Sequence, residues 1–109
     1  MTINRISYEI RENTLIYEMP KELDHHVAQE LCRHIDMLVE TNPILELSLD
    51  FRETEFMDSS GIGVIIGRHK TMQFRKGKLS VMHLGNRVET IFRAAGLHRI
   101  VEVKEDEEC

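Results

Sequence analysis

The chain has 109 residues, 41% of them hydrophobic and 30% charged, the balance of one globular domain with no room for two separate cores. A net charge of −5 argues against the basic footprint of a nucleic-acid binder. No apolar run approaches ~18 residues and the charged N-terminus has no apolar signal region, so neither a membrane span nor a secretory leader is predicted.

Two cysteines, Cys32 and Cys109, lie far apart and form no CxxC, which excludes a disulfide scaffold and a zinc ribbon and fits a reducing cytoplasm. The charge is uneven. Arg68, Lys70, Arg75, Lys76 and Lys78 form a basic stretch, and Glu105-Asp106-Glu107-Glu108 an acidic end. Both are expected to be solvated surface, with residues 1–104 as the domain and 105–109 as a tail.

Tyr8 and Ile10, then Leu15, Tyr17 and Met19, alternate with polar neighbours on either side of Glu12-Asn13, which predicts an opening antiparallel hairpin. Pro20 stops the second strand, and Asp24 is placed to cap a helix. Val27, Leu31, Ile35 and Leu38 form its apolar stripe, and Asn42-Pro43 ends it.

Leu45, Leu47, Leu49 and Phe51 alternate with Glu46, Ser48 and Asp50, a strand with one buried and one more polar face. Ile62, Ile65, Ile66, His69 and Met72 mark a second helix, with Gly77 as its left-handed cap. Residues 79–84 read as a strand. Asn86 and Glu89 resemble a capping box before a third helix on Val88, Ile91, Phe92 and Ala95, closed by Gly96. Ile100, Val101 and Val103 predict a last strand, and Met37, Met57, Met72 and Met82 core filling. Strands separated by helices call for right-handed crossovers. The predicted fold is a small single-domain α/β unit: a mixed, mostly parallel sheet with helices mainly on one face.

The stretch FMDSSGIGVIIGRHK (residues 56–70) is where chemistry can concentrate. Two serines stand at the mouth of a helix, after Asp58 and before Gly61 and Gly63. A helix N-terminus has free N–H groups and positive partial charge, and so accepts an anion such as a phosphoryl group. Glycines let another molecule approach the backbone. Asp and Ser are also ordinary caps, and glycines permit close packing, so the same residues suit a purely structural role. Ser60, closer to the helical turn, is the better placed serine to cap; Ser59 stands at the exposed mouth.

Gly61, Gly63 and Gly67 also spell part of a dinucleotide fingerprint. Against it stand the long loop from Arg52 to Asp58 and the lack of an acidic residue after the next strand, at Met82-His83-Leu84-Gly85. No P-loop, G-x-S-x-G elbow or metal-binding histidine spacing occurs. A small nucleotide-binding hydrolase is the runner-up from another functional class.

Residues 22–26 (ELDHH) with 56–68 (FMDSSGIGVIIGR) resemble the STAS domain of anti-sigma factor antagonists, nearest its sporulation branch acting on the anti-sigma F factor. The resemblance extends over residues 3–103. It implies a non-enzymatic regulator without cofactor or metal. The unphosphorylated antagonist binds an anti-sigma factor that is also a serine kinase, holding ATP or ADP, and releases the sigma factor. The kinase phosphorylates the first serine of the motif, Ser59 here, and a serine phosphatase reverses this.

The implied docking surface comprises Met57, Asp58, Ser59, Ser60, Gly61, Ile62 and Gly63, with Asp24 and His25 alongside, and Arg68 with Lys70 facing acidic groups of the partner. Asp58 orients the loop, caps the helix or assists the kinase reaction. A STAS module of another partner switch, such as general stress control, is the alternative within the fold. Two departures stand out: Pro20-Lys21 where the family usually has a glycine before ELDHH, and an acidic tail where members often have a further helix.

Overall fold

The computed structural model describes residues 7–104. The acidic tail assigned to 105–109 lies outside them. Strands β1 (Tyr8–Arg11) and β2 (Thr14–Glu18) form the antiparallel hairpin, Tyr8 opposite Tyr17, with Glu12 at φ 55 in the turn. After a short strand β3 (Glu22–Leu23) come helix α1 (His25–Thr41) and strand β4 (Glu46–Asp50). A second short strand, β5 (Phe56–Met57), leads into helix α2 (Ser59–Phe74). Strand β6 (Lys78–Met82), helix α3 (Asn86–Ala94), a 3₁₀ turn at Leu97–Arg99 and strand β7 (Glu102–Lys104) complete the described chain. The main sheet has the order β1-β2-β4-β6-β7, parallel in every pair after the hairpin.

Register explains the layers. Leu15, Leu47 and Leu79 align across three strands, as do Tyr17, Leu49 and Val81. Alternation puts all six on one face, where they meet Leu31 and Ile35 of α1 and Ile65 and Met72 of α2 in one buried cluster. The opposite face carries Ile16, Ser48 and Ser80 in register. There the Ser80 hydroxyl donates to Glu46 Oε2 at 3.0 Å and lies 3.3 Å from the Ser48 hydroxyl. Lys104 Nζ lies 2.8 Å from the same Glu46 oxygen. Burial alone would raise the Glu46 carboxyl; the bonds from Lys104 and Ser80 outweigh it and hold the carboxyl below its usual range.

Several local readings need correction. Strands β3 and β5 are too short to show periodicity. Lys76, at φ 63, takes the left-handed position after α2 instead of Gly77. Gly77 is needed for close approach: a Cβ there would lie 2.5 Å from the Leu45 carbonyl oxygen. Asn86 does not cap α3. Gly85 is the N-cap, without a side-chain bond, and Glu89 pairs with Arg93 one turn on. Gly96 does take the left-handed conformation, at φ 76. The last strand starts at Glu102, because Ile100 and Val101 finish the 3₁₀ turn. Met37 is 47% exposed rather than core, whereas Met57 and Met72 are buried.

Candidate functional site

The two motif segments are brought together by the pair of strands that sequence reading missed. β3 and β5 form a separate parallel ladder, Glu22 opposite Phe56 and Leu23 opposite Met57. One residue further, the same register sets Asp24 beside Asp58, and both are helix N-caps. Asp24 Oδ1 accepts from Val27 N at 3.1 Å. Asp58 Oδ1 accepts from Ser60 N at 2.8 Å. Two helices thus begin side by side, each with its partial positive charge at the same edge of the domain.

The capping settles one open point: Asp58, not Ser60, caps α2. Ser59 and Ser60 are the first two residues of that helix, Ser59 exposed and Ser60 half-buried. The Ser59 hydroxyl therefore stands at a capped helix mouth, where added negative charge meets backbone N–H groups.

The turn before ELDHH works without glycine. Lys21 is not among the described residues with positive φ. Its carbonyl accepts from Glu55 N at 2.8 Å and Phe56 N at 3.1 Å, and Pro20 O accepts from the buried Thr54 hydroxyl at 2.8 Å. These three bonds tie the ELDHH turn to the loop leading into β5.

The glycines divide by environment. Gly61 is buried, and a Cβ on it would run into the Met57 side chain and press on Leu23. Gly63 and Gly67 face open space. All three lie inside α2 rather than in a turn before it, so they do not form the phosphate loop of a dinucleotide fingerprint.

Of the residues singled out for docking, His25, Ser59 and Gly63 are exposed; Asp24, Asp58, Ser60 and Ile62 are half-buried; Met57 and Gly61 are inside. Ser60 and Gly63 share a shallow cleft of about 440 Å³ with His25, Gln29 and Cys32 of α1. Burial raises the Cys32 thiol, and the Arg68 guanidinium works against that rise. Arg68 itself is 13% exposed, its Nε 3.3 Å from Asp36 Oδ1 on α1. That charge joins two helices of the chain instead of facing outward. Phe56, the first residue of the quoted motif, is 43% exposed and was not counted among the docking residues, because a two-residue strand has no pattern that would show which of its side chains faces out. Among the described residues no helix is long and apolar enough to cross a membrane, and no group of three or more His, Cys, Asp or Glu could hold a metal ion.

Comparison with known proteins agrees with this geometry. The anti-sigma F factor antagonist of Paenibacillus polymyxa is 29% identical over 103 residues, covering 94% of this chain and 88% of that one. The anti-sigma-B factor antagonist of Listeria monocytogenes is 30% identical over 102 residues, covering 91% and 89%. The solved structure of the anti-sigma factor antagonist SpoIIAA in its unphosphorylated form superposes with a TM-score of 0.83 at 23% identity, covering 95% of this chain and 90% of that one. The phosphorylated form of the Bacillus cell fate determinant SpoIIAA gives 0.76 at 22% identity, covering 95% and 93%. The STAS domain profile matches residues 5–108, and the chain belongs to the STAS domain family.

Proposed function

We propose that this chain is an anti-sigma factor antagonist that works by partner switching in the cytoplasm. Unphosphorylated, it binds an anti-sigma factor that is also a serine kinase, with ATP or ADP held by the kinase, and so frees the sigma factor. Phosphorylation of Ser59 ends the binding, and a serine phosphatase restores it. The chain itself performs no catalysis in this scheme. The carrying observation is the exposed Ser59 at the first position of α2, directly after a side-chain cap supplied by Asp58.

The chemistry follows from that position. A phosphoserine carries roughly −1.5 to −2 charge at neutral pH. At the N-terminus of a 16-residue helix this charge is favourably placed, so the antagonist keeps its fold. Against a kinase holding a nucleotide it meets like charge, and each ~1.4 kcal/mol lost weakens binding tenfold. Exposed His25, Ser59 and Gly63, with Phe56 beside them, form the contact face. Met57 and Gly61 support it from within.

The similarity to both sporulation-type and sigma-B-type antagonists supports a second reading, general stress control, with the same switch and a different kinase. Capture experiments with an anti-sigma F and an anti-sigma-B kinase, each loaded with ADP, test the proposal. Retention by one of them, lost after Ser59 phosphorylation, is expected. Failure of both kinases to retain the unphosphorylated chain would overturn it.

A further inference from the structure

The far end of the helical layer has a second surface. Between the C-terminal halves of α1 and α2 lies a groove of about 410 Å³, floored by buried Val39. Phe74, the last residue of α2, stands at its lip, 88% exposed. A ring so exposed beside an apolar-floored groove is a projection next to a socket. A benzene-sized ring needs roughly 150 Å³, so the groove has room for one.

The charges on the two walls differ in sign. α1 contributes Asp36 and Glu40; α2 contributes Lys70 and Arg75. Arg75 is partly engaged, donating to Val39 O at 3.0 Å, and Asp36 faces Arg68. Glu40 and Lys70 are exposed.

We propose that this groove is an interface with a second copy of the chain, Phe74 of each copy seated in the groove of the other. The walls make the surface self-complementary, as a two-fold interface must be. They also choose the axis. A two-fold axis running along the groove sets α1 of each copy over α2 of the other, acid against base. An axis across the groove would stack acid on acid and base on base. The helices of the two copies therefore run parallel. The interface is independent of the switch: Ser59 lies 15 residues before Phe74 on α2, about 22 Å away along the helix. Each copy keeps its motif face free.

Sedimentation of the full chain over a concentration series tests this. The expected mass rises from 12.8 kDa toward twice that value as concentration increases. Phe74→Glu should hold the protein at monomer mass at least tenfold higher in concentration. Lys70→Glu should weaken association, and Lys70→Glu with Glu40→Lys should restore it. All are surface changes, and an unchanged circular dichroism spectrum shows that each variant is folded. A wild-type chain that stays monomeric throughout would overturn the proposal, as would dimers indifferent to Phe74→Glu. A monomeric wild type whose capture by an anti-sigma kinase is lost on Phe74→Glu would assign the face to that partner and overturn self-association.

Discussion

Gly61 sits against Met57, the residue immediately before the Asp58 cap, so closely that the Met57 side chain occupies the place of a Cβ. The glycine lets α2 begin tight against β5, and β5 is paired with β3, which leads into α1. The contact holds the exposed Ser59 in a fixed relation to His25.

Gly61 and Gly63 should therefore respond oppositely to the same change. Gly61→Ala overpacks the core and should cost about 1–3 kcal/mol of stability. Gly63→Ala meets open space within a helix and should gain up to ~1 kcal/mol, yet weaken kinase capture because the added methyl stands on the contact face. Urea denaturation with capture assays on both variants separates packing from docking.

The capping geometry ranks two neighbours. Asp58→Ala removes the acceptor for Ser60 N and should cost ~1 kcal/mol. Ser60→Ala leaves that bond intact, and its denaturation midpoint should be close to wild type.

Tyr17 is buried, and its hydroxyl hydrogen-bonds His34 Nδ1 at 2.8 Å. Burial, with smaller contributions from Cys32 and Tyr8, pushes the phenol up to about 12. In the unfolded chain it titrates near ~10. Its neutral form contributes stability fully below that lower value, and the contribution is lost as pH rises toward the higher one. Tyr17→Phe should lower stability by about 1 kcal/mol at neutral pH. The gap to wild type should narrow in alkaline denaturation series.

Glu46 predicts the reverse pH dependence. Its carboxyl is held low, so its contribution is present above the ordinary carboxylate range and lost as pH falls through its lowered folded value. The difference in denaturation midpoint between wild type and Glu46→Gln should shrink on acidification, and Lys104→Met should shrink it at neutral pH as well.

The elements that announced themselves were those long enough to repeat. The stripe of Leu31, Ile35 and Leu38 and the alternation of Leu47 and Leu49 cross several turns or pleats, so burial leaves a readable period. Two-residue strands leave none, and β3 and β5 went unseen although they align the motifs. Capping was legible at Asp24 and misread at Asn86, because a cap is a matter of backbone angle that a polar side chain only suggests. The three motif glycines looked alike as letters; only their surroundings make Gly61 a packing residue and leave Gly63 and Gly67 open. Arg68 read as free charge because its partner, Asp36, lies on another helix.

The most direct measurement is mass-spectrometric mapping of phosphate after incubation with the anti-sigma kinase and ATP. The account predicts a single phosphate on Ser59, none on a folded Ser59→Ala protein that still binds the kinase, and continued labelling of Ser60→Ala. Phosphate mapped to Ser60, or full labelling of Ser59→Ala, would contradict it.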